Sequence, residues 1–287
     1  MREGVGRLAG RPGGRYIDAT LGGGGHAEAV LEAGGPDARL LGLDADPEAM
    51  ARCRRRLERF GTRAVCVQAK FSMLVRSAEE HGFRPADGAL MDLGVSSFQL
   101  DDPERGFSFR ADGPLDMRMD PGAGATAADL VNGLSETELA DVFWRYGDEH
   151  RSRRVARAIC ERRARAPFTR TADLAEAVAR SLGGRRGRIH PATRVFQALR
   201  IAVNRELEEL DAGLAGAWSV LRPGGRLAVI AFHSLEDRAV KRFMAEQIRT
   251  GGGRAIERKP LRPGDEERNR NPRARSARLR VAERVAS

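Results

Sequence analysis

Four consecutive glycines, Gly22 to Gly25, stand between a short apolar run and an amphipathic one in the stretch YIDATLGGGGHAEAVLEAG, Tyr16 to Gly34. Glycines are concentrated where the backbone must approach a ligand or turn through a left-handed conformation. Gly22, Gly24 and Ala27 match G-x-G-x-x-A, and Asp44 lies 20 residues beyond Gly24, where an acid can bind ribose hydroxyls. The pattern by itself permits a nicotinamide oxidoreductase. Asp18 favours a different ligand, because it closes the apolar run ahead of the glycines, and an anion there suits the ammonium or sulfonium of S-adenosylmethionine better than a pyrophosphate.

Such a turn needs strands and helices to hold it. RYIDAT reads as a short buried strand and HAEAVLEAG as a helix stopped by glycines. RLLGLDAD and PEAMARCRRRLERFG repeat the pair, with Pro47 at a first helical position. RAVCVQAKF and SMLVRSAEEHG make a third pair, and DGALMDLGVS supplies the next strand. This alternation predicts a parallel sheet with helices on its faces. Near Phe98 loop signals take over, followed by helices without strands, with a capping box at Ser135 and Glu138 and an apolar face behind Thr171. We therefore expect a helical insertion over 103–192, inside a discontinuous domain of 1–102 and 193–287. After it come one long helix from Thr193 to about Leu221, a strand in GRLAVIAFHS, a helix in LEDRAVKRFMAEQ, and an edge strand near the C-terminus.

The chain has 287 residues and a net charge of +10, and the positive charge is clustered. Residues 151–170 carry eight Arg against one Glu, 180–200 six Arg and no acid, and 251–280 ten Lys or Arg against four acids. Such blocks suit a phosphate backbone, although an arginine-rich surface would look the same. Three cysteines without C-x-x-C spacing argue against disulfides and a zinc site, so no metal is expected. With neither an apolar run of membrane length nor a secretory leader pattern, the expectation is a soluble, cytoplasmic chain with no membrane partner.

Longer strings are more specific. DATLGGGGH, MDLGVSSFQLDDPERGFSFRADGPLDMRMDP, HPATRVFQALRIAVNRELEEL, FHSLEDRAVKRFM and NPRARSARLRVAE together resemble the bacterial MraW/RsmH family, over nearly the whole chain from about Tyr16 to Ala282. LRPGGRLAVI is also similar to the turn entering the fifth strand of class I methyltransferases. The resemblance implies a Rossmann-like class I methyltransferase fold with an inserted all-helical domain. It also implies S-adenosylmethionine-dependent methylation of a cytosine N4 in the decoding region of 16S rRNA. The chain departs from the family pattern twice: MREGVGRLAGRPGG replaces a leader containing H-x-P-V-L, and Phe98 stands where proline is common.

Carried over by position, the resemblance places cofactor contacts at Gly24, Gly25, His26, Asp44, Phe71, Asp92 and Gln99, to which the reading above adds Asp18. The N–H groups of Gly24 and Gly25 are expected to meet the methionine carboxylate, and Phe71 the adenine. A cytosine amine is a poor nucleophile, so an acceptor for its N–H should help, and Asp92 is the expected catalytic acceptor. Holding the cofactor alone is an equal reading of that residue. His233 is expected as a second catalytic residue, contacting the target base or phosphate with Ser234 beside it; a structural histidine is an equal reading of it. Phe107 and Phe109 could stack a flipped-out base. The Arg block from Arg151 to Arg165, with Arg151, Arg153, Arg154 and Arg157 foremost, is expected to grip rRNA phosphates. The expected partner is 16S rRNA in the small ribosomal subunit, and a homodimer is compatible with the sequence. An RNA-binding assembly factor that merely retains a cofactor pocket is the non-catalytic alternative.

Overall fold

The computed structural model describes residues 2–8, 11–184 and 190–286. Contacts divide the chain into two compact units, residues 1–94 with 207–287, and residues 95–206.

The first unit begins with α1 (Arg2–Leu8) and continues as β1 (Arg15–Asp18), α2 (Gly25–Ala33), β2 (Arg39–Asp44), α3 (Pro47–Leu57), β3 (Ala64–Gln68), α4 (Leu74–Glu80) and β4 (Ala86–Asp92). Pro47 opens α3 as expected, and the Asp46 carboxylate caps it by accepting the Glu48 N–H. The second unit holds α5 (Ser97–Asp101), α6 (Ala127–Gly133), α7 (Glu136–Gly147), α8 (Ser152–Arg163), α9 (Thr171–Ser181) and α10 (Ala192–Asn204). The first unit then resumes with α11 (Glu206–Val220), β5 (Leu221–Ala231), α12 (Ser234–Arg249), β6 (Gly253–Ala255), α13 (Asp265–Arg270) and β7 (Arg278–Arg284).

The seven strands run in the order β3-β2-β1-β4-β5-β7-β6, parallel from β3 to β5, with β7 antiparallel to both its neighbours. Side chains alternate between the two faces, as the strand pleat requires. Ile17, Leu41, Met91 and Val229 pack under Leu74 of α4, Leu210 and Leu214 of α11 and Val240 of α12. Tyr16, Leu40, Leu90 and Ala228 pack under Leu8 of α1, Val30 of α2 and Met50 and Cys53 of α3. Both faces are covered, which is why these strands read as continuous apolar runs. The N-terminal segment contributes directly to this core, since Val5 and Leu8 are buried.

The sequence expectation needs two corrections here. The C-terminal strand β7 is not at the edge; it lies between β5 and the three-residue β6, which is too short to leave a periodic signal. The single long helix expected from Thr193 is two helices, broken at Arg205, whose φ of 51° is left-handed. The cause is local. Asn204 turns its amide onto the loop before α6, accepting the Met119 N–H at 2.8 Å and donating to Met117 O at 2.8 Å. Arg200 simultaneously grips Glu206 with two hydrogen bonds, at 2.7 and 2.8 Å.

In the second unit the helices enclose a core of Phe107, Leu139, Phe143, Val155, Ile159, Phe168, Val178 and Leu199. The capping box at Ser135 and Glu138 forms as expected. This unit, 95–206, is wider at both ends than the expected insertion.

Candidate functional site

Three carboxylates end three neighbouring parallel strands. Asp18 is the last residue of β1, Asp44 of β2 and Asp92 of β4. Strand β1 lies between β2 and β4, so the chain order reverses there, and the crevice beyond such strand ends is where open α/β sheets bind ligands.

The glycine turn lies against these ends. Gly22 donates its N–H to Asp44 Oδ2 at 2.8 Å, and Asp46 donates to Oδ1 at 2.9 Å, so Asp44 ties the turn to β2. Burial raises the pKa of Asp44 above the ordinary carboxylate value. Each of its oxygens retains a lone pair for a ligand hydroxyl. Gly24 N-caps α2 with φ 77°, and a Cβ on it would lie 2.9 Å from the Cys53 sulfur. Its N–H donates back to Leu21 O at 2.6 Å. The expectation that this N–H meets a ligand carboxylate is therefore corrected, because the turn itself consumes it. The available donors start one residue later, at Gly25, in the first turn of α2 where no intrahelical carbonyl reaches.

Between Asp18 and Asp92 sits Thr20, a residue the sequence reading did not single out. Its N–H and hydroxyl both donate to Asp18 Oδ1, at 3.0 and 3.3 Å, while its hydroxyl oxygen accepts the Asp92 N–H at 2.6 Å. A Thr two residues after an Asp is an available signal for such a turn. His26, in the first turn of α2, places Nε2 3.4 Å from Asp92 Oδ2. Asp18 is 1% exposed, and burial pushes its carboxyl up to about 6 against the opposing pull of the His26 charge.

Asp18 Oδ2, Asp92 Oδ1 and His26 Nδ1 are buried with no hydrogen-bond partner among the described residues. Buried polar atoms are normally paired, so their clustering at strand ends marks a place for a polar ligand. Two carboxylates and a helix N-terminus fit the opposite charges of S-adenosylmethionine, a cationic sulfonium with an amino acid end and ribose hydroxyls. Phe71 stands half-buried after β3, close enough to α11 that a Cβ on Gly213 would lie 2.7 Å from its own Cβ.

His233 has a different role from the expected one. It is the N-cap of α12: Nδ1 accepts the Glu236 N–H at 3.4 Å and Nε2 lies 3.0 Å from Glu236 Oε1. Both ring nitrogens are thus committed to the start of α12, and the expectation that they meet a base or phosphate is corrected. Ser234 is exposed at the first position of that helix.

In the second unit Gln99 is buried, and its side-chain carbonyl closes the capping box of α5 by accepting the Ser96 N–H at 2.9 Å. Phe107 is also buried, under the Arg105 guanidinium, which corrects its reading as a base-stacking ring. Phe109 is half-buried, with ring centroids 4.7 Å from both His190 and Phe196. Arg153, Arg154 and Arg157 are exposed on one side of α8, and Arg157 lies 3.6 Å from Glu136. Arg151 is exposed and reaches the Leu182 carbonyl at 3.4 Å. Arg162 and Arg163 turn inward to the carbonyls of Ala166 and Val131. Arg185, Arg186 and Arg188 of the neighbouring basic block lie outside the described residues. Among those described, no helix is long and apolar enough to cross a membrane.

Residues 1–285 match the model of the MraW methylase family. The chain is 55% identical over 294 residues to the ribosomal RNA small subunit methyltransferase H of Thermomicrobium roseum, covering 97% of this chain and 90% of the relative. It is 52% identical over 293 residues to the protein of the same name from Syntrophobacter fumaroxidans, covering 96% and 92%. Among solved structures it is similar to an rRNA-methylase candidate from Clostridium thermocellum, with 10% identity and a TM-score of 0.48 over 100% of this chain and 93% of that one.

Proposed function

The chain belongs to the MraW methylase family, and we propose that it transfers the methyl group of S-adenosylmethionine to the exocyclic N4 of a cytosine in the decoding region of bacterial 16S rRNA. The observation that carries this reading is the set of strand-end carboxylates around the glycine turn, with Asp18 Oδ2 and Asp92 Oδ1 buried and unpartnered among the described residues. The names of the relatives support the substrate class.

In this reading Asp18 faces the positive charge of the cofactor, the first-turn N–H groups from Gly25 onward meet its carboxylate, and Asp44 accepts its ribose hydroxyls. Phe71 packs on the adenine, and Gln99 lines the loop after β4. When bound, the cofactor supplies an electrophilic methyl. Asp92 Oδ1 accepts an N–H of the target amine, turning its lone pair out of conjugation and fixing its direction, and such orientation alone can supply much of the acceleration. Phe109 and Ser234 belong to the same proposal as contacts of the target nucleotide. Arg151, Arg153, Arg154 and Arg157 grip phosphates, positioning the RNA while the crevice reads the base.

The test is methyl transfer from labelled S-adenosylmethionine to small ribosomal subunits from cells lacking the gene, followed by mapping of the modified nucleotide. Label appearing at a cytosine N4 is the expected result; none, or label elsewhere, rejects the assignment. Asp92→Asn separates two roles for that carboxylate. Lost turnover at saturating cofactor supports amine orientation, whereas weakened cofactor binding with unchanged turnover leaves it a cofactor contact only.

A further inference from the structure

His26 is more than a backbone contact for the cofactor. Its side chain is only 12% exposed, it enters from α2, and it points Nε2 at Asp92 Oδ2 across 3.4 Å. Asp18 on β1 and Asp92 on β4 flank Thr20, whose hydroxyl donates to the Asp18 carboxylate and accepts the main-chain N–H of Asp92. The charge of Asp92 adds to the burial that raises the Asp18 carboxyl. One imidazolium beside them offsets that repulsion.

We propose that His26 is a positioning residue for methyl transfer: as an imidazolium it holds Asp92 Oδ2, offsets the negative charge of Asp92 and Asp18, and so leaves Oδ1 as the acceptor for an N–H of the target amine. The inference rests on the amine-methylation reading above.

The electrostatics agree with the geometry. Burial by itself lowers the imidazole pKa, but the hydrogen bond to Asp92 and the charges of Asp92 and Asp18 outweigh it, and the net shift is upward. Beyond Asp18 lie Cys53 of α3 and Asp44 of β2; burial pushes the Cys53 thiol up to about 12, so it stays neutral and adds no competing charge. The proton balance closes on the same pair. As the N–C bond forms and the C–S bond breaks, the bonding pair stays on sulfur, the sulfonium becomes a neutral thioether, and the surplus N–H proton passes to Asp92 Oδ1. Sulfonium and carboxylate charges disappear together, and His26 keeps its own proton throughout.

The experiment has two readouts on the full chain. The first needs no cofactor: the ring nitrogens of His26 are titrated by long-range proton-nitrogen NMR in wild type and in Asp92→Asn. The wild-type pKa should stand above the ordinary value of about 6.5 and fall in the variant, which lacks the Asp92 charge. An unshifted value in the variant overturns the proposal. The second is single-turnover methylation of small subunits from about pH 5.5 to 9, comparing wild type with His26→Gln, which retains an N–H donor but cannot carry charge. The acid limb of the variant should move to higher pH, because the His26 charge no longer lowers the Asp18 carboxyl, with the rate recovering toward the wild-type plateau at high pH and cofactor affinity changed by less than about threefold. A limb that stays in place, or a uniform loss at every pH, indicates a merely structural histidine and overturns the proposal. If wild type methylates no cytosine at all, it is the functional reading that fails, which the first readout distinguishes because it measures the His26–Asp92 coupling directly.

Discussion

The hydroxyl oxygen of Thr20 accepts the main-chain N–H of Asp92 at 2.6 Å, while its proton turns to the Asp18 carboxylate. One side chain thereby fixes the distance between the ends of β1 and β4. Thr20→Val keeps the shape and removes both bonds. It should cost about 1–3 kcal/mol, because the Asp92 N–H is left without its partner in a half-buried place. Thr20→Ser should remain within about 1 kcal/mol of wild type. Urea unfolding measures both, and a valine variant as stable as wild type would show that the hydroxyl does not tie the strands.

Asp18 makes stability depend on pH in an unusual direction. Its pKa is raised by burial from 3.8 to about 6, so the folded chain binds this proton more tightly than the unfolded one. The contribution is fully present below about pH 4 and is lost as pH rises toward about 6, the reverse of a salt-bridged carboxylate. Asp18→Asn carries no charge at any pH. Its stability relative to wild type should therefore increase by roughly 2–3 kcal/mol between about pH 4 and 7 and then level off. A flat difference between the two proteins across that range contradicts the assigned cost of ionising Asp18.

The same residue couples cofactor affinity to protons. A sulfonium favours the ionised carboxylate, so wild-type affinity should rise about tenfold per pH unit below about pH 6 and flatten above it. Calorimetry in buffers of different ionisation enthalpy should show about one proton released per cofactor at low pH and none near neutrality. Affinity that ignores pH would place the positive charge of the ligand away from Asp18.

What the sequence revealed follows the same physics. A buried parallel strand is apolar until its last residue, so Asp18, Asp44 and Asp92 stood out as charges closing apolar runs. Four glycines announced a tight turn, but not which N–H faces inward; that depends on Leu21 O, which claims Gly24. The break at Arg205 was invisible because the apolar period continues through it, and its cause is the bonding of Asn204 to a loop 85 and 87 residues away in sequence. Phe107 and Phe109 are alike in sequence, and only the packing of the helical core buries one and leaves the other half-exposed. The cap role of His233 was legible in principle from Glu236 three residues later, the spacing of a capping box, though histidine is an unusual residue to fill it.

Gly24 tests the turn directly. Its φ of 77° disfavours any side chain, and a methyl would stand 2.9 Å from the Cys53 sulfur. Gly24→Ala should destabilise by about 2 kcal/mol from left-handed strain alone, with the sulfur contact adding to it. Pairing it with Cys53→Ala should return only the contact part, so the double variant should be more stable than the sum of the two single costs. Strict additivity would mean that the turn relaxes away from the sulfur.

Arg153 and Arg154 project from α8 into solvent, and no ion pair engages them among the described residues; Arg157 shares Glu136 at 3.6 Å. Exposed guanidinium groups without partners are the ones that lose least on meeting a phosphate. If they grip single-stranded rRNA, each contact releases counterions and contributes about 0.7 to the slope of log affinity against log salt. The double variant Arg153→Glu, Arg154→Glu should lower that slope by about 1.5 in filter-binding measurements, and raise KM for small subunits more than it lowers kcat. Arg157→Glu should change the slope less, since Glu136 already competes for that charge. The double variant Arg76→Glu, Arg84→Glu, at exposed sites of the first unit where these arginines pair with Glu80 and Glu79, makes the same change in net charge and controls for it. If the control lowers the slope as much as the double variant does, attraction is spread over the whole basic surface, and α8 is not where the backbone is held.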